Sequence, residues 1–157
     1  MDNEFADLSS VLTPERVGIL DCSDKESTLR QIIELLATAP EVKDAEELAR
    51  GIFYREKLMS TGIGMGIAVP HVRLESVEKP TMAAGISNKG IENYESLDNA
   101  PVHLIFMIAA GKNQHKQYLL LLSAVSKRLK DSNIRSLLMN APDGKTFCDI
   151  LAGSEGR

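Results

Sequence analysis

Tryptophan is absent from the chain, and phenylalanine and tyrosine together make up only 4% of its 157 residues. A core built with so few rings has to be aliphatic, and little remains on which the bases of a single-stranded nucleic acid could stack. Basic clusters are also missing. Eighteen Lys and Arg stand against 22 Asp and Glu, a net charge of −4, which argues against nucleic acid or an anionic membrane as partner. No apolar run is long enough to span a bilayer, so the chain is not expected to be membrane-embedded. The start, Met1-Asp2-Asn3-Glu4, is acidic and lacks a signal-peptide core. The two cysteines, Cys22 and Cys148, lie far apart with no CxxC spacing. Free thiols and a cytoplasmic location are therefore expected.

Several catalytic signatures are missing as well. There is no HExxH and no Cys/His pair at zinc spacing, so no metal is expected. No GxSxG supports a serine hydrolase. No Walker motif occurs, and Gly62, Gly64 and Gly66 alternate too tightly for GxGxxG, so no nucleotide cofactor is indicated.

What remains is ordinary for a globular domain: 43% apolar and 25% charged residues. The length fits one domain, residues 1–157, with a core from about 11 to 151 and frayed ends over 1–10 and 153–157. Thr13-Pro14-Glu15 has the form of a helix start, although Val17 to Leu20 also suits a short strand. Ser23-Asp24-Lys25-Glu26 has capping-box spacing, and Leu29, Ile32, Ile33 and Leu36 follow at helical period, predicting a helix to about Thr38. A second helix is predicted from Asp44 to about Leu58.

Strands are predicted at Ile67–Val69 and Thr81–Ile86, with a turn at Asn88-Lys89-Gly90. Val102 to Ala109 is apolar enough for a strand buried on both faces. Its alternation groups Val102, Leu104, Phe106 and Ile108 against His103, Ile105 and Met107. Asn113 offers a cap for a well-buried helix to about Leu129. Asp131 and Asp143 cap two more, the last ending at Gly153. The order β-α-α-β-β-β-α-α-α predicts an α/β fold, a three-layer α/β/α sandwich with a central mixed β-sheet. Tyr118, Phe53 and Met59 could form an exposed patch, but helical burial accounts for them equally well.

The most informative stretch is Ser60-Thr61-Gly62-Ile63-Gly64-Met65-Gly66-Ile67-Ala68-Val69-Pro70-His71. A glycine-rich turn can bring N–H groups of Gly62, Gly64 and Gly66 close to an anion. A buried strand then delivers one imidazole at its end. His71, with an ordinary pKa of about 6.5, is largely neutral near neutral pH and nucleophilic at one nitrogen. Pro70 restricts the backbone that aims it. Arg55 offers a guanidinium fork suited to phosphate, against the plainer reading of a surface partner for Glu56. His115 falls in the first turn of the long helix, where anions are favoured, although a solvated helix start also describes it. Ser60 and Thr61 supply hydroxyls that ordinary turn chemistry would also use. His103, among apolar neighbours, is expected to be structural.

Arg55-Glu56-Lys57 followed by Ser60-Thr61-Gly62-Ile63-Gly64-x-Gly66-Ile67-Ala68-Val69-Pro70-His71 resembles the signature of EIIA domains of the fructose/mannitol class. These belong to the bacterial phosphoenolpyruvate-dependent phosphotransferase system, and the class includes the nitrogen-regulatory EIIA proteins. The resemblance extends from about Val11 to Leu151. It implies that His71 accepts a phosphoryl group from the phosphocarrier HPr or its nitrogen-branch relative. It implies transfer onward to an EIIB component, or control of a partner protein. It also implies that Arg55 steadies the phosphate, that His115 is a second histidine beside the first, and that no metal or nucleotide is required. Two positions depart from the family pattern. Met65 stands where Asn is common, and Val72 where Gly is common.

Overall fold

A computed structural model describes residues 8–21 and 23–153. Cys22 and most of the two predicted frayed ends lie outside them. Leu8–Ser10, predicted to fray, forms a 3-10 turn that buries Leu8. Thr13-Pro14 opens only a second such turn, Pro14–Arg16, before strand β1, Val17–Ile19.

Helix α1, Lys25–Leu36, buries Thr28, Leu29, Ile32, Ile33 and Leu36 along one stripe. Its cap is Asp24, one residue later than the capping-box spacing suggested. The Asp24 carboxylate accepts the Ser27 N–H at 2.9 Å, while Glu26 turns out to meet Arg30. Helix α2, Ala45–Leu58, is capped in the same way by Asp44 and buries Leu48, Ile52 and Glu56.

The sheet then forms from β2 (Gly62–Gly64), β3 (Ile67–Ala68), β4 (His71–Leu74), β5 (Thr81–Ile91) and β6 (Val102–Gly111). The order is β1-β5-β6-β3-β2, and β4 also pairs with β6. β5 runs antiparallel to β6, while β3 and β4 run parallel to it, so the sheet is mixed. Helices α3 (His115–Arg128), α4 (Ser132–Met139) and α5 (Gly144–Ala152) complete the chain. Asp131 and Asp143 cap α4 and α5, and Gly153 ends α5 with φ +84°.

Side chains alternate across β6 and divide the core in two. Leu104, Phe106 and Ile108 pack with residues of α3, α4 and α5. Ile105, Met107 and Ala109 pack with those of α1 and α2. This is the α/β/α sandwich that the sequence predicts. Val102 departs from the predicted alternation and joins the α1–α2 side. The cause lies in Asn88-Lys89-Gly90. It is no turn but an irregularity inside continuous β5, where register shifts between Ile86 and Ile91 and Gly90 takes φ +88°.

Helix α3 differs from its prediction twice. Asn113 does not cap it. Gln114 precedes His115, and its side chain accepts the Gly111 N–H at 2.6 Å and donates to the Glu78 carbonyl at 2.7 Å. Nor is the leucine run buried all round. Only Leu121 and Val125 are fully enclosed and Leu119 is 47% exposed, because this helix forms the outside of its layer.

At the β2–β3 turn, Met65 adopts φ +60°, a left-handed conformation that strains a long side chain. Asn tolerates that region far better. Met65→Asn is expected to raise stability by about 1 kcal/mol, read as the midpoint of urea unfolding, since the strain of such a residue is of that order. A lower midpoint would count against strain at the turn.

Candidate active site around His71

Along one edge of β6, β3 and β4 lie end to end. Ala68 pairs with Ile105 and His71 with Ile108, so the register holds across Val69-Pro70. Pro70 has no N–H for the ladder, but its carbonyl accepts the Ile108 N–H at 2.9 Å. His71 therefore opens β4 rather than ending a strand, as the sequence suggested. The break at proline lets the Val69 carbonyl turn to the imidazole, 2.6 Å from Nδ1. A carbonyl only accepts, so Nδ1 carries the proton and Nε2 the lone pair; the tautomer is assigned from this bond.

Burial lowers the pKa of this half-buried ring. The Val69 carbonyl opposes that shift, the Arg55 charge adds to it and Glu56 opposes it, with a net lowering below the ordinary value. Neutral, nucleophilic His71 is the result.

Arg55 sits on the last turn of α2, half-buried. Its Nη1 donates to the Met59 carbonyl at 3.0 Å. Glu56 is not its partner: that carboxylate faces inward to Lys25, at 3.1 Å. Instead the Arg55 charge bears on His71 and on Tyr118. Tyr118 meets the His71 ring edge-on with centroids 5.4 Å apart. His115, exposed at the first position of α3, stands 6.4 Å from the same tyrosine ring. The Arg73 guanidinium lies 5.5 Å from the centre of that ring. The structure thus gathers His71, Arg55 and His115, and adds Tyr118 and Arg73, which the sequence reasoning missed. Both carried a signal. Arg73 is two residues beyond His71, hence on the same face of a strand, and Tyr118 is three beyond His115, hence on the same face of a helix.

Phe53 and Met59 line an open cleft beside Ser60 on the far side of α2's end, so they form no patch with Tyr118.

The other predicted site residues are placed differently. The Ser60 hydroxyl donates to the Glu95 carbonyl at 2.6 Å. The buried Thr61 hydroxyl bonds Glu56 and lies 2.9 Å from the Tyr94 hydroxyl. Their contribution to His71 is through the main chain, where the Thr61 carbonyl accepts the Val69 N–H at 3.1 Å. Gly62, opposite Ala68, belongs to the same support. Gly64 and Gly66 do not surround the imidazole. They form the tip of the β2–β3 hairpin, five or more residues along extended chain from His71, roughly 16 Å at strand spacing. The turn is already occupied: the Met65 N–H donates to Asp98 at 2.9 Å. The expectation of a glycine-lined anion cradle at the histidine is corrected accordingly. His103 packs by Gly90 with Nδ1 2.8 Å from the Ser87 carbonyl. Among the described residues, no three His, Cys, Asp or Glu side chains gather as a metal site. No helix there is long and apolar enough to cross a membrane.

The lowered His71 pKa makes stability depend on pH with a definite sign. The unfolded chain binds the proton first, so His71 costs nothing above about pH 6.5 and destabilises the fold as pH falls below it. The groups facing the ring are Arg55, Arg73, Glu56, Tyr118 and, beyond it, His115. Urea midpoints measured on either side of about pH 6.5 should fall on acidification, and less steeply for His71→Gln. Equal slopes would remove the burial effect. The capping carboxylates Asp24 and Asp143, held below their ordinary range by N–H bonds, act only below about pH 4.

Comparison with known proteins agrees with this geometry. Residues 10–154 match the model of a family described as phosphoenolpyruvate-dependent sugar phosphotransferase system, EIIA 2. The chain is 32% identical over 153 residues to the fructose-specific EIIA component of Haloferax volcanii, covering 95% of this chain and 97% of that one. It is 34% identical over 154 residues to the nitrogen regulatory protein of Escherichia coli, covering 95% and 91%. A fructose-specific EIIABC component of Bacillus subtilis is 35% identical over 145 residues, but the match spans only 23% of that protein. Among solved structures, the nitrogen regulatory protein IIA-Ntr of Neisseria meningitidis superposes with a TM-score of 0.84 at 25% identity, over 92% of this chain and 98% of that one. Enzyme IIA mannitol of Escherichia coli, in complex with phosphorylated enzyme IIB mannitol, superposes with 0.76 at 24% identity, over 91% and 99%.

Proposed function

Since the chain belongs to the EIIA 2 family of the phosphoenolpyruvate-dependent sugar phosphotransferase system, we propose that His71 is the residue on which it carries the phosphoryl group. The observation that supports this most directly is the Nδ1–Val69 hydrogen bond, which leaves Nε2 as a lone pair beside two guanidinium groups. Phosphoryl transfer asks for a positioned nucleophile and charge neutralisation, and little else.

The Nε2 lone pair attacks phosphorus in line. The N–P bond of a donor phosphohistidine breaks, and its electron pair returns to the donor ring. The positive charge that the donor ring carried passes to the His71 ring, where Nδ1–H remains bonded to the Val69 carbonyl. Arg55 and Arg73 face the equatorial oxygens. His115, at the positive end of α3, is placed to accept or steer one of them. The donor is HPr or its nitrogen-branch counterpart, and the acceptor an EIIB component. No metal or nucleotide enters the step.

Similarity to the nitrogen regulatory proteins over more than 90% of their length favours a second reading of the same chemistry, in which the phosphorylation state of His71 controls a partner protein. Incubation with phosphoenolpyruvate, enzyme I and either donor, followed by intact mass and phosphate mapping, tests the first step common to both. One acid-labile phosphoryl group on His71 is expected. No uptake from either donor would overturn the proposal.

A further inference from the structure

Next to Arg55, and turned the opposite way, Glu56 is only 7% exposed. A carboxylate so enclosed is costly unless its oxygens are satisfied, and an apolar side chain of similar volume would generally serve stability as well. Here they are satisfied. Glu56 accepts the N–H of Thr61 at 3.3 Å, the Thr61 hydroxyl, and the Tyr94 hydroxyl at 3.0 Å, and it pairs with Lys25 Nζ. Tyr94, itself buried, has its pKa pushed well above the ordinary range and remains a donor. This network carries on from Thr61. The Thr61 carbonyl accepts the Val69 N–H, and the Val69 carbonyl holds Nδ1 of His71. Lys25 also reaches Glu95, whose carbonyl holds the Ser60 hydroxyl, so both sides of the Ser60-Thr61 segment are tied to one group of buried polar atoms.

We propose that Glu56 is a positioning residue for His71, acting through Thr61 and Val69 to fix the imidazole with Nδ1 protonated and Nε2 presented to the donor. The proposal rests on His71 being the phosphoryl carrier, but its structural half does not. Glu56 touches no substrate. It sets the main chain that sets the ring, and as the neighbour of Arg55 it also anchors the helix end that carries the guanidinium.

The test compares Glu56→Leu and Glu56→Gln with the wild-type chain, each first shown to be folded by circular dichroism at the assay temperature. Two quantities are read: the rate of phosphoryl uptake from phospho-HPr, and the nitrogen chemical shifts of the His71 ring, with His103 as internal control. Glu56→Leu is expected to keep or raise the melting temperature yet slow uptake by about tenfold or more, the scale on which small misplacements act. Its His71 ring should show mixed tautomers while His103 is unchanged. Glu56→Gln retains an acceptor oxygen for Thr61 and should restore most of both. A folded Glu56→Leu with wild-type ring shifts and rate overturns the proposal, as does Glu56→Gln behaving like Glu56→Leu. Should Glu56→Leu not fold, Tyr94→Phe, which removes one donor from the carboxylate, must move the same ring signals part of the way, and unmoved signals overturn it. Wild-type protein that takes no phosphoryl group at all would sink the functional reading while leaving the ring shifts to decide the structural one.

Discussion

His71→Ala is expected to take up no phosphoryl group at all, and to remain folded. The chemical half follows from the tautomer. Nε2 of His71 is the one imidazole nitrogen set beside both Arg55 and Arg73 with its partner nitrogen fixed by a carbonyl. His103 has a fixed nitrogen too, but it lies among Gly90 and Pro101 on another part of the sheet. His115 is near, but exposed, and its ring meets only Tyr118. Neither can substitute, so the loss should be complete rather than partial.

The structural half follows from what the ring supports. It is half-buried and touches Tyr118 edge-on, and the β4–β6 ladder is made by main-chain atoms that alanine keeps. A cost of about 1 kcal/mol is expected, the usual size for a single substitution outside the core. It should shrink or reverse below about pH 6.5, where the wild-type imidazole has to accept a proton in a site that resists it. Mass spectrometry after incubation with the donor system checks the first half and urea unfolding the second. A phosphoryl group found on His115 in this variant would move the nucleophile across Tyr118.

The parts of this molecule visible in its sequence are those fixed by local chemistry. Asp24, Asp44, Asp131 and Asp143 each announce a helix because a carboxylate caps whatever follows it. The apolar run of β6 announces a strand buried on both faces because only a covered sheet can hide it. Where prediction failed, a distant partner had decided. Asn88-Lys89-Gly90 has turn chemistry, yet β6 offers enough partners to carry β5 through it, and only the shift in register records the conflict. Asn113 is a good cap on paper, but Gln114 is drawn to Gly111 and Glu78 and the helix begins after it. The glycines near the histidine suggested an anion cradle, since glycine permits close approach. The structure uses Gly64 and Gly66 instead to turn a hairpin whose tip Asp98 already fills. His71 and Arg55 were legible because a nucleophile and a phosphate-binding fork are chemically distinctive. Thr61 was legible for its hydroxyl, whereas its carbonyl is what reaches towards the site. Main-chain support of this kind has no residue type to betray it.

Gly62 is where that support is tightest, and Gly62→Ala should be the most damaging single methyl in the molecule. A Cβ at this position would stand 2.2 Å from the Glu95 carbonyl oxygen and 3.0 Å from Ser96 Cα. Neither is the free end of a side chain that can swing away. Ser96 bridges Gly62 directly, and the same Glu95 carbonyl receives the Ser60 hydroxyl. To admit the methyl, either residues 95 and 96 move off or β2 leaves β3. The first movement breaks the Ser60 bond, and the second loosens Thr61 from Val69, with His71 one link further on. Overpacking against fixed main chain costs about 3 kcal/mol at the upper end of its usual range, and that is the expected loss in urea unfolding. Gly66→Ala supplies the contrast. Its Cβ would have nothing closer than 3.7 Å, so only the strain of φ +78° remains, about 1 kcal/mol. Phosphoryl uptake, measured where both variants are fully folded, should be slowed by the first and not by the second, because the hairpin tip lies away from the imidazole while Gly62 belongs to its support. Equal uptake by both would mean that residues 95 and 96 yield without disturbing Thr61, and that the ring is held by β4 alone.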